Sequence, residues 1–297
     1  MKRIVTLVLF TLIVSLLAAC GSGDKADTDT TTETETTPET ITETETDPII
    51  EMDPNAINVK QSYTDFAGKN IGVIAGNPYY YTSERIGAVP VNYSQSSAVV
   101  DDMRQGKVDG YINTLSVVRA LVVQHGGDTF KAIAVPTDVS LAQIGGVTYD
   151  QAMAERFNAF LAIISNNGTL WDMKNRWLNA DPDAKVTMPV IPGSTGLGVL
   201  RVVTTSDAKP YSYIGDDGNL QGFSIELALR FGANEGMTVV FSDIDPDKLI
   251  PLISGQGGDI GLANSIITER NERQVYFTNP ICEEQPGILT MKALSER

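Results

Sequence analysis

From Ile57 onward, apolar runs of four to six residues alternate with helix-period stretches, a pattern that predicts an α/β fold. Ile71-Gly72-Val73-Ile74 is a buried strand stopping at Ala75-Gly76. A helix from Ser96 to Arg104 turns Val99, Val100 and Met103 inward and ends at Gly106, and the next strand spans Val108 to Ile112. A helix follows at 116–125, then strands at 131–135 and 142–147. An amphipathic helix begins near Asp150 and places Met153, Phe157, Phe160, Leu161 and Ile164 on one face. Asn166-Asn167-Gly168 stops it, and Thr169 is expected to cap a short helix carrying Trp171 and Trp177.

A connector rich in proline and glycine, 179–198, separates this part from a second αβ segment. That segment has strands at 200–204, 239–241 and 259–263, helices at about 224–232, 247–254 and 268–273, and an extended stretch at 284–292. The segments echo each other weakly. Met103 through Gly110 and Ile253 through Ile260 each read as a helix end, a glycine turn and an aspartate-led strand, a likeness that coincidence also explains. Two such sheets facing each other would leave a cleft for a small ligand.

Ahead of the folded part, Lys2-Arg3 precede an apolar run from Ile4 to Leu17, which ends in Leu17-Ala18-Ala19-Cys20. Residues 1–20 therefore read as a signal peptide whose apolar run is too short for a stable spanning helix. Its end resembles the bacterial lipobox, which implies cleavage and lipidation of Cys20; an ordinary secretory signal is the alternative. Residues 21–56 alternate Thr and Glu, carry 11 acidic side chains and one Lys, and are expected to form a disordered acidic linker. The formal charge of −15 becomes −17 once Lys2 and Arg3 are removed, and the linker's −10 leaves the globular part at −7. The acidity is thus mostly a spacer. An acidic chain repels phosphate backbones, which argues against nucleic acid as a partner. Two cysteines and one histidine, without CxxC or HExxH spacing, exclude the usual zinc sites, and no cofactor motif appears.

Two stretches, LRVVTTSDAKPYSYIGDDGNLQGFSIELALRF and LIPLISGQGGDIGLANSIITERNERQVYFTNPI, resemble the N-terminal lobe of family 3 solute-binding proteins, the extracytoplasmic receptors of amino-acid ABC importers. FAGKNIGVIAGN, QGKVDGYIN and NNGTLWDMKNRWL resemble the remainder of that family in inverted order. The resemblance implies a two-lobed periplasmic binding protein-like II fold, circularly permuted. The second lobe then spans 57–138, the closing strand and helices of the first lobe 139–178, and the N-terminal part of the first lobe with a hinge strand 199–297. A remnant of tandem duplication is the alternative. Twenty residues extend to about 65–70 Å, enough for 179–198 to join the normal termini. The new ends, near Phe66 and Met291, are expected to meet at the hinge, and 200–290 to fold with 140–178 into one half.

Family members hold an α-amino acid by an Arg and acidic residues through charge-assisted hydrogen bonds. Without gaps, the carboxylate-binding Arg falls on Asn271, beside Arg270, the ammonium-binding Asp on Thr114, and the acidic position after the first strand on Thr205, with Asp207 two residues on. The hydroxyl position after Gly76 becomes Asn77-Pro78, and Pro78 has no N–H for an anion. These departures imply a neutral or weakly charged polar solute met by Asn77, Thr114, Asn264, Ser265 and Asn271, with Tyr79 or Tyr80 as a stacking wall. His125 reads as a helix-terminal base and Cys282 as a packed residue without a disulfide partner.

The resulting expectation is a membrane-tethered, monomeric solute-binding lipoprotein. It would capture a small polar solute on the extracytoplasmic face and serve an ABC permease, with no catalytic residue, metal or cofactor. The alternatives are a non-transport surface lipoprotein with a degenerate cleft, acting as sensor or scaffold, and a dehydratase-type enzyme on the same fold.

Overall fold

A computed structural model describes residues 60–193, 196–269 and 275–293. The expected leader with Cys20, the linker 21–56, Arg270, Asn271 and most of the helix expected near 268–273 lie outside the described residues.

The first part of the chain forms β1 (Asn70–Ile74), α1 (Tyr79–Arg85), β2 (Val89–Tyr93), α2 (Ser96–Arg104), β3 (Gly110–Thr114), α3 (Leu115–His125) and β4 (Phe130–Ala134). β5 (Ala142–Ile144), β6 (Val147–Thr148), α4 (Gln151–Asn166) and α5 (Thr169–Trp177) follow. Past the connector come β7 (Val199–Thr204), the hairpin β8 (Tyr213–Ile214) and β9 (Leu220–Gln221), α6 (Phe223–Asn234) and β10 (Thr238–Asp243). The chain then forms α7 (Leu249–Ser254), β11 (Ile260–Gly261), β12 (Tyr276–Phe277), β13 (Cys282–Glu284) and β14 (Pro286–Met291).

These strands make two five-stranded sheets, β2-β1-β3-β14-β4 and β10-β7-β11-β6-β12, one in each of two lobes. The first three strands of each run parallel, and the fourth runs antiparallel to both its neighbours. The two fourth strands are exchanged. After β4, the fifth strand of one sheet, the chain crosses as β5 and becomes β6, the fourth strand of the other. After β12 it crosses back as β13 and becomes β14. The two crossing strands pair antiparallel, Cys282 opposite Ile144 and Glu284 opposite Ala142, and form a ribbon between the lobes.

The echo read in the sequence has a structural counterpart. Asp109, just before β3, donates its N–H to the Asn70 carbonyl at 2.7 Å and accepts the Asn70 N–H at 3.2 Å. Asp259, just before β11, does the same with Arg201 at 2.8 Å in both directions. In each lobe an aspartate side chain therefore fixes the register of the third strand against the first.

Residues on either side of the connector fold into one lobe. Glu226 of α6 is fully buried and accepts from Arg176 at 2.9 Å, Trp177 Nε1 at 2.6 Å and Arg230 Nε at 2.8 Å. A buried carboxylate is stable only when so many donors compensate its lost hydration. Phe157 and Phe160 of α4 pack their rings on Phe231 of α6.

Three expectations are corrected. Residues 200–290 do not all stay in one half, because β14 pairs with β3 and β4 in the opposite sheet. Nor do the new ends meet at the crossing ribbon. Lys60 Nζ reaches Asp109 Oδ1 at 2.6 Å and Thr290 Oγ1 donates to the Asp109 carbonyl at 2.9 Å, so both ends lie where β3 begins, at the opposite end of the strands from the ribbon. The helix that starts at Thr169 has left-handed Gly168 as its N-cap, while the Asn167 side chain accepts the Thr169 N–H.

Candidate functional site

Parallel sheets direct ligands to the crevice outside the carboxyl ends of their strands. A cavity of about 190 Å³ occupies that position between the two lobes. One wall is the exit of β1, Ile74 to Pro78, with Tyr111 and Asn113 of β3; the other is Thr205 and Asp207 after β7, Pro246, Asp247 and Leu249 to Pro251, and Ala263 to Ile266 after β11. The strand expected over 259–263 is shorter, Ile260–Gly261, although Leu262 still donates its N–H to the Val203 carbonyl at 2.9 Å; Ala263 beyond it lines this cavity. Glycines make the approach close: a Cβ on Gly261 would lie 2.7 Å from Val147 Cγ2 and 2.8 Å from Leu249 Cδ2.

Two polar bridges join the lobes here. Asp207 Oδ2 accepts the Ser96 N–H at 2.6 Å, and Oδ1 accepts the Ser96 hydroxyl, so a carboxylate of one lobe caps α2 of the other. Asn264 Nδ2 donates to Asn113 Oδ1 at 2.9 Å. The same Asn113 oxygen accepts the Thr114 N–H at 2.8 Å, and Asn113 Nδ2 donates to Tyr111 Oη at 2.6 Å. Burial pushes the Asp207 carboxyl above the usual carboxylate range, further than the bonds from Ser96 pull it down. Burial and the Asp207 charge raise the Tyr111 phenol well above its ordinary value, so it stays protonated.

Of the residues singled out from the sequence, Asn77, Thr205, Asp207, Asn264 and Ser265 come together around this cavity. Asn77 Oδ1 accepts the Tyr79 N–H at 2.9 Å and so starts α1. Thr205 Oγ1 accepts the Asp207 N–H at 3.2 Å. Thr114 is elsewhere: fully buried, it is the N-cap of α3 and accepts the Val117 N–H. Tyr79 is 2 % exposed and packs in the core, while Tyr80 lines an outer recess with Tyr81, Asn92 and Thr268. Arg270 and Asn271 lie outside the described residues. Tyr111, Asn113 and Asp247 were missed. Period-two alternation points Asn113 to the face opposite Thr114, and the ungapped reading landed one residue late.

Away from the cleft, His125 ends α3 with its ring against Phe130, and burial lowers its pKa. Cys282 is a free, buried thiol pushed up to about 12 by burial. Trp177 is buried and Trp171 is 68 % exposed. Among the described residues no group of three or more His, Cys, Asp or Glu side chains could hold a metal ion.

Residues 200–296 match the family of bacterial extracellular solute-binding proteins, family 3. Two curated relatives are similar to part of the chain. The chain is 28 % identical over 109 residues to the cyclohexadienyl dehydratase of Pseudomonas aeruginosa, and 27 % identical over 108 residues to the arginine-binding extracellular protein ArtP of Bacillus subtilis. The matches cover 33 % and 34 % of this chain, which spans 41 % and 42 % of the relatives' lengths. Among solved structures, an ancestral arginine-binding protein bound to arginine is 34 % identical over 26 % of this chain and 34 % of its own, with a TM-score of 0.26.

Proposed function

We propose that this protein is an extracytoplasmic solute-binding protein, lipid-anchored through Cys20, that closes its two lobes on a small polar solute and presents it to an ABC permease. The observation that carries this reading is the cavity at the carboxyl ends of β1, β7 and β11, walled by both lobes and spanned by the Asp207–Ser96 and Asn113–Asn264 bridges. Because residues of both walls surround the cavity, an occupant binds the closed arrangement more tightly than an open one, and binding free energy becomes lobe closure. The antiparallel β5–β13 ribbon is the pivot in this reading. The family match over 200–296 and the arginine-binding relative are consistent with such a role.

The same reading makes the chain a complete circular permutant, with 179–198 joining the family's usual termini. It is supported by the exchanged fourth strands, by the Glu226 network across the connector, and by the new ends lying far from the pivot.

A thermal-shift and calorimetric screen of the whole chain against amino acids, polyamines, sugars and short peptides tests the function. A solute that raises the melting temperature and is recovered unchanged supports the receptor. Conversion of a cyclohexadienyl acid would favour a dehydratase, and silence across the panel a sensor or scaffold.

A further inference from the structure

We propose that a second cavity, across the crossing ribbon from the cleft, is a small-molecule site that takes an anionic oxygen group, a carboxylate or a phosphate, on Arg119 of one lobe and Lys209 of the other. The cavity measures about 380 Å³, and ligand sites commonly hold about 300–1,000 Å³. The ribbon separates it from the cleft. On one edge of β5 lie the cleft residues Ser265 and Ile266, with the Gly145 N–H donating to the Ser265 carbonyl at 2.9 Å and Ile144 bridging to Ile266. On its other edge β5 pairs with β13, whose Glu283 and Glu284 line the second cavity. The walls include Ser116 and Arg119 of α3, Lys209 and Tyr213 beyond β7, and Pro182 and Val186 of the connector.

The charges this cavity leaves uncommitted are positive. Three carboxylates line it, and each already draws on donors of the protein. Burial raises the Glu284 carboxyl above its ordinary range, against the pull of hydrogen bonds from Tyr211 and Ser116. Glu283 Oε1 accepts from Gln143 Nε2 at 3.3 Å, and Asp181 Oδ1 accepts the Asp183 N–H at 3.1 Å. The two cations have no such partners. Among the described residues the Arg119 guanidinium makes neither a hydrogen bond nor an ion pair, and it senses Glu284 only as a nearby charge. Lys209 is half-buried with Nζ over the Tyr213 ring, 5.0 Å from its centroid, a contact that leaves its N–H donors unused. An anionic oxygen group is the ligand that turns such donors into charge-assisted hydrogen bonds. The cleft is different: no Lys, Arg or His is among the described residues that line it. An anion therefore distinguishes the two cavities. Held from both lobes, it also ties them together, so its binding should raise the melting temperature.

Titration calorimetry and thermal shift on the whole chain test this with glutarate against its neutral diamide, glutaramide, and with inorganic phosphate against chloride. The preferred anion should bind about tenfold or more tighter than its comparator and raise the melting temperature. Glutarate alone would mark a carboxylate site, phosphate alone a phosphate site, and either outcome supports the proposal. Arg119→Gln and Lys209→Gln should each weaken that anion about tenfold, and Arg119→Lys should retain part of the affinity. Lys185→Gln removes an exposed connector cation outside the cavity and should change nothing. Should Lys209→Gln fail to fold, Arg119→Gln decides alone, because the Arg119 side chain is exposed. The proposal is overturned if neither anion outbinds its comparator, if Arg119→Gln keeps the full affinity, or if Lys185→Gln costs as much as Arg119→Gln.

Discussion

Single side chains tie this fold together at a few points where burial makes charge consequential. Glu226 is one, and Glu226→Ala leaves Arg176, Arg230 and Trp177 with unpaired donors. The expected loss is about 3–5 kcal/mol of stability, read from urea unfolding, since one partner of a buried ion network is removed. Asp207 makes a pH prediction. Its folded pKa is raised above the ordinary 3.8, so its contribution favours folding below that value and is lost as pH rises through the folded pKa. Asp207→Asn lacks this titration, and the stability advantage of wild type over the variant should shrink from acid toward neutral pH; an advantage that grows would contradict it. Sequence reasoning reached Asn77, Thr205, Asp207, Asn264 and Ser265 through the family resemblance, and they gather at the cavity because they follow the ends of β1, β7 and β11, where parallel sheets place ligands. It missed Asp247, whose neighbourhood depends on a turn after an edge strand, and it assigned Thr114 a ligand role where the backbone needed a cap.

At the scale of elements, strands and helices with a clear period were legible, and those shaped by position were not. α1 and β2 were not foreseen, since Val-Pro-Val-Asn-Tyr reads as a poor strand; it is tolerated because β2 is an edge, where the missing Pro90 N–H need not pair. The strand expected over 142–147 is cut in two at Gly145-Gly146, where β5 ends and β6 begins. A Cβ on Gly145 would lie 2.8 Å from Ile267 Cδ1. Gly222, the N-cap of α6, is the most demanding turn. Its φ of +127° is unsuited to other residues, and a Cβ there would meet the Tyr211 carbonyl and lie 2.7 Å from the Pro210 oxygen. Gly222→Ala should cost about 1–3 kcal/mol, seen as a lowered urea midpoint, because backbone oxygens cannot swing aside as a side chain would.

For the whole molecule, permutation makes a reversible claim. A chain that begins at 196, runs to 293, continues through a short Gly-Ser link into 60 and ends at 193 should give the same circular dichroism and the same solute profile, since Lys60 and Thr290 already meet on Asp109. A protein that aggregates or loses all solute response would show that 179–198 is more than a join. Limited proteolysis of the natural chain should protect 140–178 together with 200–280, with Glu226 and the α4–α6 aromatic contacts holding them. The exchange of fourth strands also bears on biosynthesis. The first sheet to leave the ribosome is finished after the second, because the facing edges of β3 and β4 wait for Pro286–Met291, which follows every strand of the other sheet in the chain. Until β14 is made, the nascent protein carries an open slot in its earliest sheet, with unpaired backbone along the facing edges of β3 and β4.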